Sequence, residues 1–68
     1  MISKFLESIG EWLIETRQLK NLTQEELAHL SGLHEGVIRR YEADQYQKCS
    51  LARVSHICEV LENYRPHT

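Results

Sequence analysis

The chain has 68 residues, of which 41% are hydrophobic and 26% are charged, and its formal net charge is −2 at pH 7. A chain of this length forms one domain, here expected over residues 1–68, and buries only about 60% of the surface that its unfolded form exposes. No apolar run approaches the ~18 residues of a membrane span, and the opening MISKFLESIG lacks the apolar segment of a signal peptide, which favours a cytoplasmic protein without membrane contact.

The first helix is predicted over residues 2–19, because apolar residues recur at helical spacing and no run alternates as a strand would. A sector about 120° wide holds Ile2, Phe5, Leu6, Ile9, Trp12, Leu13 and Thr16. The opposite side carries an acidic stripe of Glu7, Glu11 and Glu15, which we interpret as a solvated face while leaving a partner-binding role open. Gly10, which weakens a helix by up to ~1 kcal/mol, and Ile14, which points away from the apolar sector, leave open a separate piece before Gly10.

The second helix is predicted over residues 24–30, after a break at the segment KNL. Asn21 in that break tolerates the left-handed conformation that commonly ends a helix. Thr23 and Glu26 form the T-x-x-E capping box, which satisfies free backbone donors at a helix start. Gly32 permits a tight turn after the second helix.

The third helix is predicted over residues 35–43, with Ile38 and Tyr41 facing inward. A loop with the sequence ADQYQKC follows it, and Ser50 is then a suitable N-cap for a fourth helix over residues 51–61. The apolar face of that helix is predicted to consist of Leu51, Val54, Ile57, Cys58 and Leu61.

Cys49 and Cys58 are the only cysteines, and without a secretory signal we expect free thiols. Cys58 falls on the apolar face of the fourth helix, where a cysteine packs as a small core residue. His56 and Cys58 have no second pair at ligand spacing, so no metal site and no cofactor are expected. The sequence has no glycine-rich phosphate loop, nucleophile elbow or pair of catalytic carboxylates, so we expect neither an enzyme nor catalytic residues.

The second and third helices have the features of a helix-turn-helix: two short helices joined by a brief turn that contains glycine. Ala28 is the small inner residue that lets the second helix of the pair cross closely, one helical turn before Gly32. Arg39 and Arg40 lie on the exposed side of the third helix, where they can meet phosphates or guanine edges. The small core between the two helices is expected to contain Leu27, Leu33 and Ile38.

With these residues in this order, the sequence resembles the phage-repressor type of helix-turn-helix, the Xre/Cro-like family of bacterial and phage transcription regulators. The matching segments are IGEWLIETRQLKNLTQEELAHLSGL, IRRYE and SLARVSHICEVL, within residues 9–61. The resemblance implies a compact all-α domain of four to five helices, with the helix-turn-helix over about residues 24–43 and a short tail over residues 62–68. It also implies double-stranded DNA as the partner, with the recognition helix over residues 35–43 in the major groove.

The resemblance assigns roles to individual residues. Positions that contact DNA in the family, or lie beside such positions, are occupied by Gln24, His34, Glu35, Gly36, Arg39, Arg40 and Lys48. Gln24 is expected on a phosphate, at a helix start that favours anions, and Lys48 lies in the loop that usually follows the DNA backbone. Arg17 and Glu42 match a pair that joins the first helix to the end of the third, which we interpret as a partly buried salt bridge, with Arg17 on a phosphate as the alternative.

The recognition helix departs from the family pattern at three positions. His34 stands where serine or threonine is usual, which weakens the helix cap or makes it pH-dependent. Glu35 would repel a phosphate but can accept a hydrogen bond from cytosine N4, and Gly36 offers no side chain for reading. Base reading is therefore expected to fall on Arg40, Glu35 and Arg39.

The net charge is unusual for a DNA-binding domain, which often has a basic excess. The distribution of charge matters more than its sum. The basic residues expected to cluster on the recognition side are Arg17, Lys20, Arg39, Arg40 and Lys48.

Two functions follow from this reading. The leading hypothesis is a sequence-specific regulator, bacterial or phage-encoded, that binds a two-fold DNA site as a homodimer through the first helix or the end of the fourth. Activation and repression are not distinguished. The alternative is a protein-interaction module or antitoxin-like partner that uses the same fold without strong DNA binding, as the acidic stripe and Glu35 suggest.

Overall fold

The protein folds as four helices, seen in a computed structural model that describes the backbone of residues 2–65 and the side chains of residues 8–65. Helix α1 spans Ile2–Leu19, α2 spans Gln24–Ser31, α3 spans Glu35–Ala43 and α4 spans Leu51–Asn63. No strand occurs in these 64 backbone positions, so the predicted all-α fold is confirmed. The predicted bounds of α1 and α3 are correct, whereas α2 and α4 extend one and two residues past their predicted ends.

Helix α1 is one continuous element, so a separate piece before Gly10 is ruled out. Gly10 is buried, and its missing side chain makes room for the backbone of the α3–α4 loop rather than marking a break. The predicted orientations on α1 were partly wrong: Ile14 packs against the core, whereas Trp12 is 40% exposed. The side chains of Ile2, Phe5, Leu6 and Glu7 lie outside the described residues, while Glu11 and Glu15 are exposed.

The helix-turn-helix is built by the local signals that the sequence carries. At the start of α2, Thr23 Oγ1 accepts from the Glu26 N–H at 3.0 Å and Glu26 Oε1 accepts from the Thr23 N–H at 2.8 Å, which confirms the capping box. At its end, Gly32 is left-handed with φ 73°, and the Leu33 N–H reaches the Ala28 carbonyl at 2.8 Å. This six-to-one hydrogen bond is the mark of a Schellman motif, and it turns the chain directly into α3.

The same ending recurs after α1 and α3, although neither of those helices ends at a glycine. Asn21 has φ 58°, as predicted for a left-handed residue in that break. Gln45 has φ 57°, its N–H donates to the Glu42 carbonyl at 3.1 Å, and the Tyr46 N–H donates to the Tyr41 carbonyl at 2.7 Å. The left-handed backbone conformation costs a residue with a side chain roughly 1 kcal/mol. Gln45 therefore adopts this conformation because its surroundings impose it.

The core lies between all four helices and includes two residues from the α3–α4 loop, Tyr46 and Cys49. Tyr46, in the loop predicted from ADQYQKC, is fully buried and is the largest such side chain among the described residues. Leu51 was predicted on the inner face of α4 but is 68% exposed, because it occupies the first position after the Ser50 cap. The buried apolar residues are Leu13, Leu22, Leu27, Ala28, Ile38, Tyr46, Cys49, Val54, Ile57 and Leu61.

Polar contacts join α4 to the rest of the fold. A ring nitrogen of His56, Nε2, lies 2.9 Å from the carbonyl of Ser31 at the end of α2. Lys20 Nζ, after the end of α1, donates to the carbonyls of Leu61 and Tyr64. A cation at the C-terminal end of a helix is favourable because free carbonyls concentrate partial negative charge there. None of the described helices is long and apolar enough to cross a membrane.

Candidate nucleic-acid interface

Helix α3 presents one polar face to solvent. At 100° per residue, its outward sector about 140° wide holds Glu35, Gly36, Arg39, Arg40 and Ala43. Glu35 is half-buried and the other four are exposed. Ile38, on the opposite side, is fully buried and anchors the helix to the core. The residues named from the sequence on this helix therefore share one accessible face.

The start of α3 lacks a side-chain cap. His34 is the N-cap with extended backbone (φ −80°, ψ 148°), and its side chain makes no capping hydrogen bond. The weaker cap predicted for a histidine at this position is confirmed. Backbone N–H groups of the first turn therefore stay available at this end, where the helix dipole favours an anion.

Glu35 and Arg39 form an ion pair along the outward face. Arg39 Nη2 lies 2.8 Å from Glu35 Oε2, and the two side chains are 63% and 40% exposed respectively. An exposed pair at this spacing contributes only about 0.3–0.5 kcal/mol. Its electrostatic effect is local, because the negative charge of Glu35 is opposed by a cation on the same face. Arg40 has no hydrogen bond or ion pair with any described residue, so it is the uncompensated cation of this helix.

The inner side of α3 is fixed by a network around Glu42. Arg17 Nε lies 2.7 Å from Glu42 Oε2 and Nη2 lies 3.0 Å from Oε1, with side-chain exposures of 12% for Arg17 and 7% for Glu42. Arg17 Nη1 also donates to the carbonyl of Leu22 at 2.7 Å. Gln24 Nε2 donates to Glu42 Oε1 at 2.9 Å. The network links α1, the α1–α2 turn, α2 and α3, and it sets the position of the recognition helix.

Two basic residues expected on the recognition side do not contribute free charge there. Arg17 is neutralised by Glu42, and Lys20 lies against the carbonyls that end α4. That part of the expected basic cluster was wrong, because buried carboxylate and helix-end carbonyl oxygens bind these cations within the fold. The other three, Arg39, Arg40 and Lys48, are exposed, and Arg39 is paired with Glu35.

Lys48 is exposed on the α3–α4 loop, in a segment that has a buried residue on each side. Tyr46 is completely buried before it, and Cys49 is 8% exposed after it. The rings of Tyr41 and Tyr46 pack with centroids 5.6 Å apart. The loop therefore presents Lys48 from a fixed backbone, which the sequence did not predict.

The two cysteines are buried to different degrees. Both are free thiols, as predicted, with Cys49 buried and Cys58 half-buried. Burial raises the pKa of the Cys49 thiol, and burial together with Glu62 and Glu59 raises the pKa of the Cys58 thiol. Thiolates are therefore disfavoured at both positions. Across the described part of the chain, no three histidine, cysteine or carboxylate side chains are grouped to hold a metal.

The candidate interface is therefore a pair of short helices, the second of which exposes Arg39 and Arg40 on its outward face. A family model described as helix-turn-helix matches residues 13–65. The chain belongs to the Xre/Cro-like helix-turn-helix family. Family members are DNA-binding regulators and are typically not enzymes, and this Xre/Cro-like chain is accordingly a DNA-binding helix-turn-helix protein. No curated protein and no solved structure matches the chain.

Two features that shape this Xre/Cro-like interface were missed by reading the sequence. Gly10 lies before the matched segment, and Tyr46 lies in the loop between the third and fourth helices. An isolated glycine inside a helical pattern can have a packing reason, and that signal was available for Gly10. The burial of Tyr46 had no local signal beyond an aromatic residue in a short polar loop.

Proposed function

We propose that the chain is a sequence-specific, double-stranded DNA-binding transcriptional regulator that places α3 in the major groove. The observation that carries the proposal is the division of α3 into two faces. Its inner face is fixed by the nearly buried Arg17–Glu42 pair, and its outer face exposes Arg39 and Arg40. A rigidly held helix with exposed arginines suits the major groove, which is wide enough for one α-helix and presents guanine acceptors to arginine.

Arg40 is proposed as the main base-reading residue. It is exposed and uncompensated, and arginine recognises guanine through O6 and N7. Glu35 and Arg39 are proposed to act as a pair, with Glu35 accepting from a cytosine amino group or orienting Arg39 toward the neighbouring base or phosphate. Gly36 leaves space between them, since nothing outside the helix backbone lies within 4 Å of a Cβ built there. The helix can therefore approach the base edges closely.

Three further residues are proposed to contact phosphates. Gln24 lies at the start of α2, although its amide donates to Glu42, so its backbone N–H and helix dipole are the groups we assign to the anion. His34 lies at the uncapped start of α3. Lys48 extends from the fixed α3–α4 loop. Each neutralised phosphate adds about 0.9 to the slope of log affinity against log salt.

A homodimer on a two-fold site is proposed as the working form. Helix-turn-helix dimers read half-sites about one helical turn apart, roughly 34–36 Å. One copy offers only Arg39 and Arg40 on α3 and Lys48 on the following loop, which make few contacts, so a second copy supplies the remainder. The proposed setting is the bacterial cytoplasm, where the protein acts on a bacterial or phage genome.

In-vitro selection of bound duplexes from a random pool tests the proposal. We expect an enriched palindrome whose half-sites are one turn apart and contain a guanine opposite Arg40. The matched control is the Arg39→Ala, Arg40→Ala double variant in the same selection. No enriched sequence at low salt with the wild-type chain would contradict the proposal.

A protein partner is the second candidate. It is favoured by Glu11 and Glu15, whose exposed carboxylates place negative charge on one side of α1. The pairing of Glu35 with Arg39 weakens it, because Glu35 then gives no free acidic charge on α3. A selection experiment without enrichment, followed by retained binding of a basic protein partner that Glu11→Gln, Glu15→Gln abolishes, would favour this function.

A further inference from the structure

Gly10 is in direct contact with the backbone of the α3–α4 loop. A Cβ built at Gly10 would overlap the carbonyl oxygen of Gln45 and would lie 2.7 Å from its carbonyl carbon. Real Cβ atoms essentially never come within 3.0 Å of such an atom, and a backbone carbonyl cannot move aside as a flexible side-chain end can. Only glycine therefore allows α1 and this loop to lie at the observed distance.

The loop that rests on Gly10 has left-handed residues and backbone hydrogen bonds of its own. Gln45 and Tyr46 are consecutive left-handed residues with φ 57° and 63°. The Gln47 N–H donates to the Asp44 carbonyl at 3.2 Å, and the Cys49 N–H donates to the Tyr46 carbonyl at 3.2 Å. Left-handed residues other than glycine persist only where surrounding contacts over-determine them. The contact with Gly10 is one of those determinants.

Lys48 is the exposed cation of this path. It lies two residues after the fully buried Tyr46 and one residue before Cys49. Its backbone N–H donates to no backbone carbonyl among the described residues, and we assign this N–H to a ligand together with the exposed side-chain ammonium group. A phosphate oxygen is the chemistry that matches an ammonium group beside a free N–H.

We infer that Gly10 is a positioning residue for DNA binding: it seats the Gln45–Tyr46 backbone so that Lys48 meets a phosphate while α3 occupies the groove. The inference rests on the proposed function. Gly10 touches no DNA itself, and it precedes the family match, which begins at Leu13. The loop distance is thus set by a residue of α1 that lies outside the matched helix-turn-helix segment.

The dependence of DNA affinity on salt tests this role, because a phosphate contact has its own signature there. Affinity for the selected duplex is measured by fluorescence anisotropy between 50 and 200 mM salt. Lys48→Ala is expected to reduce the slope of log affinity against log salt by about 0.9 per protomer, which is about 1.8 for the proposed dimer, so that the loss across this range shrinks by about 12-fold. Gly10→Ala is expected to give the same reduction with unchanged sequence preference, and the double variant is expected to give no further reduction. Ser8→Ala, at an exposed position on α1, is the matched control and should keep the wild-type slope.

Backbone NMR spectra separate loop displacement from loss of the fold. For Gly10→Ala we expect chemical-shift changes concentrated in residues 44–49, with α2 and α3 preserved. The same measurements are repeated in a Gln45→Gly background, in which the left-handed residue is no longer strained and the loop can adjust.

The outcomes distinguish this inference from the proposed function. A wild-type chain with a flat salt slope overturns both. The role of Gly10 alone is overturned if Gly10→Ala keeps the wild-type salt slope while Lys48→Ala shows the reduced slope. Unfolding of Gly10→Ala in both backgrounds also overturns it, because Gly10 would then support the whole fold and not the loop.

Discussion

Arg17 of α1 and Glu42 of α3 meet in a bidentate ion pair, with Nε–Oε2 at 2.7 Å and Nη2–Oε1 at 3.0 Å, 25 residues apart in the sequence. Both side chains are nearly buried, at 12% and 7% exposure. The same guanidinium closes the α1–α2 turn at Leu22, and the same carboxylate holds Gln24 at the start of α2. The position of the recognition helix therefore depends on this pair.

Removing Arg17 should destabilise the fold strongly. Arg17→Met leaves the Glu42 carboxylate nearly buried with only Gln24 as a partner, and we expect the free energy of unfolding to fall by about 3–5 kcal/mol. The measurement is urea unfolding followed by circular dichroism. Combining Arg17→Met with Glu42→Leu should recover much of the loss, because no unpaired charge remains. Arg39→Met, which breaks the exposed pair, is the control and should cost less than about 1 kcal/mol. Equal losses for the two arginines would contradict this account of the network.

Replacing Gly36 with alanine should stabilise the folded chain. A Cβ at this position meets nothing beyond the helix's own backbone, so Gly36→Ala should raise the free energy of unfolding by up to about 1 kcal/mol through helix propensity. Gly32→Ala is the matched comparison, because its φ of 73° strains a side chain and we expect a loss of roughly 1 kcal/mol. Thermal unfolding of both variants checks the opposite signs. A less stable Gly36→Ala chain would show that α3 is not packed as described.

Tyr46 should make stability fall at alkaline pH. Burial, followed by the charge of Glu42, raises the pKa of the Tyr46 phenol well above its ordinary value. The folded state therefore favours the protonated phenol. Its contribution is complete below about pH 10, where the unfolded phenol titrates, and it is lost as the pH rises further. By pH 11 the wild-type chain should lose about 1.4 kcal/mol more than Tyr46→Phe does.

The same variant tests the buried hydroxyl at neutral pH. The Tyr46 hydroxyl has no hydrogen-bond partner within the described chain, so Tyr46→Phe should match or exceed wild-type stability at pH 8, by up to about 1 kcal/mol. Urea unfolding at pH 8 and pH 11 provides both comparisons. If Tyr46→Phe is less stable than the wild type at pH 8, the phenol is not unpartnered. If it loses as much stability as the wild type between pH 8 and pH 11, the phenol is not buried.

The helices could be read from the sequence because their signals are local. The Thr23–Glu26 capping box, Gly32 and Ser50 lie within a few residues of the backbone groups that they satisfy. The bounds of α3 followed from these flanking signals and from the spacing of Ile38. Leu51 was wrongly predicted to be buried, because the spacing of apolar residues shows which face of α4 is inward but not where the helices packed against it end.

The packing of the α3–α4 loop could not be read in this way. Gly10 was judged by helix propensity, whereas its actual role depends on Gln45, which approaches it only in the folded chain. The burial of Tyr46 could not be predicted either, since nothing near it in sequence indicates that a loop tyrosine fills the core. Both depend on how α1 lies against the loop.

The sequence predicted which residues of the candidate site lie on the exposed face of α3, but it predicted less well which side chains bond to each other. Helical spacing places Glu35 and Arg39 on one face, and their i,i+4 separation was available as a pairing signal. The Arg17–Glu42 pair came from the family resemblance alone, because its residues are far apart in sequence. The Gln24–Glu42 hydrogen bond depends on the crossing of α2 and α3, which the sequence does not specify.

The central claim is that α3 reads DNA sequence through Arg40. The most direct measurement compares wild type and Arg40→Ala on the selected duplex and on every single base-pair change within one half-site. We predict a loss of about 1–3 kcal/mol per half-site on the selected duplex and relaxed preference at one base pair of each half-site only. An affinity and base preference unchanged by Arg40→Ala would contradict the claim, and so would an equal loss on every sequence, since Arg40 would then be only a phosphate contact.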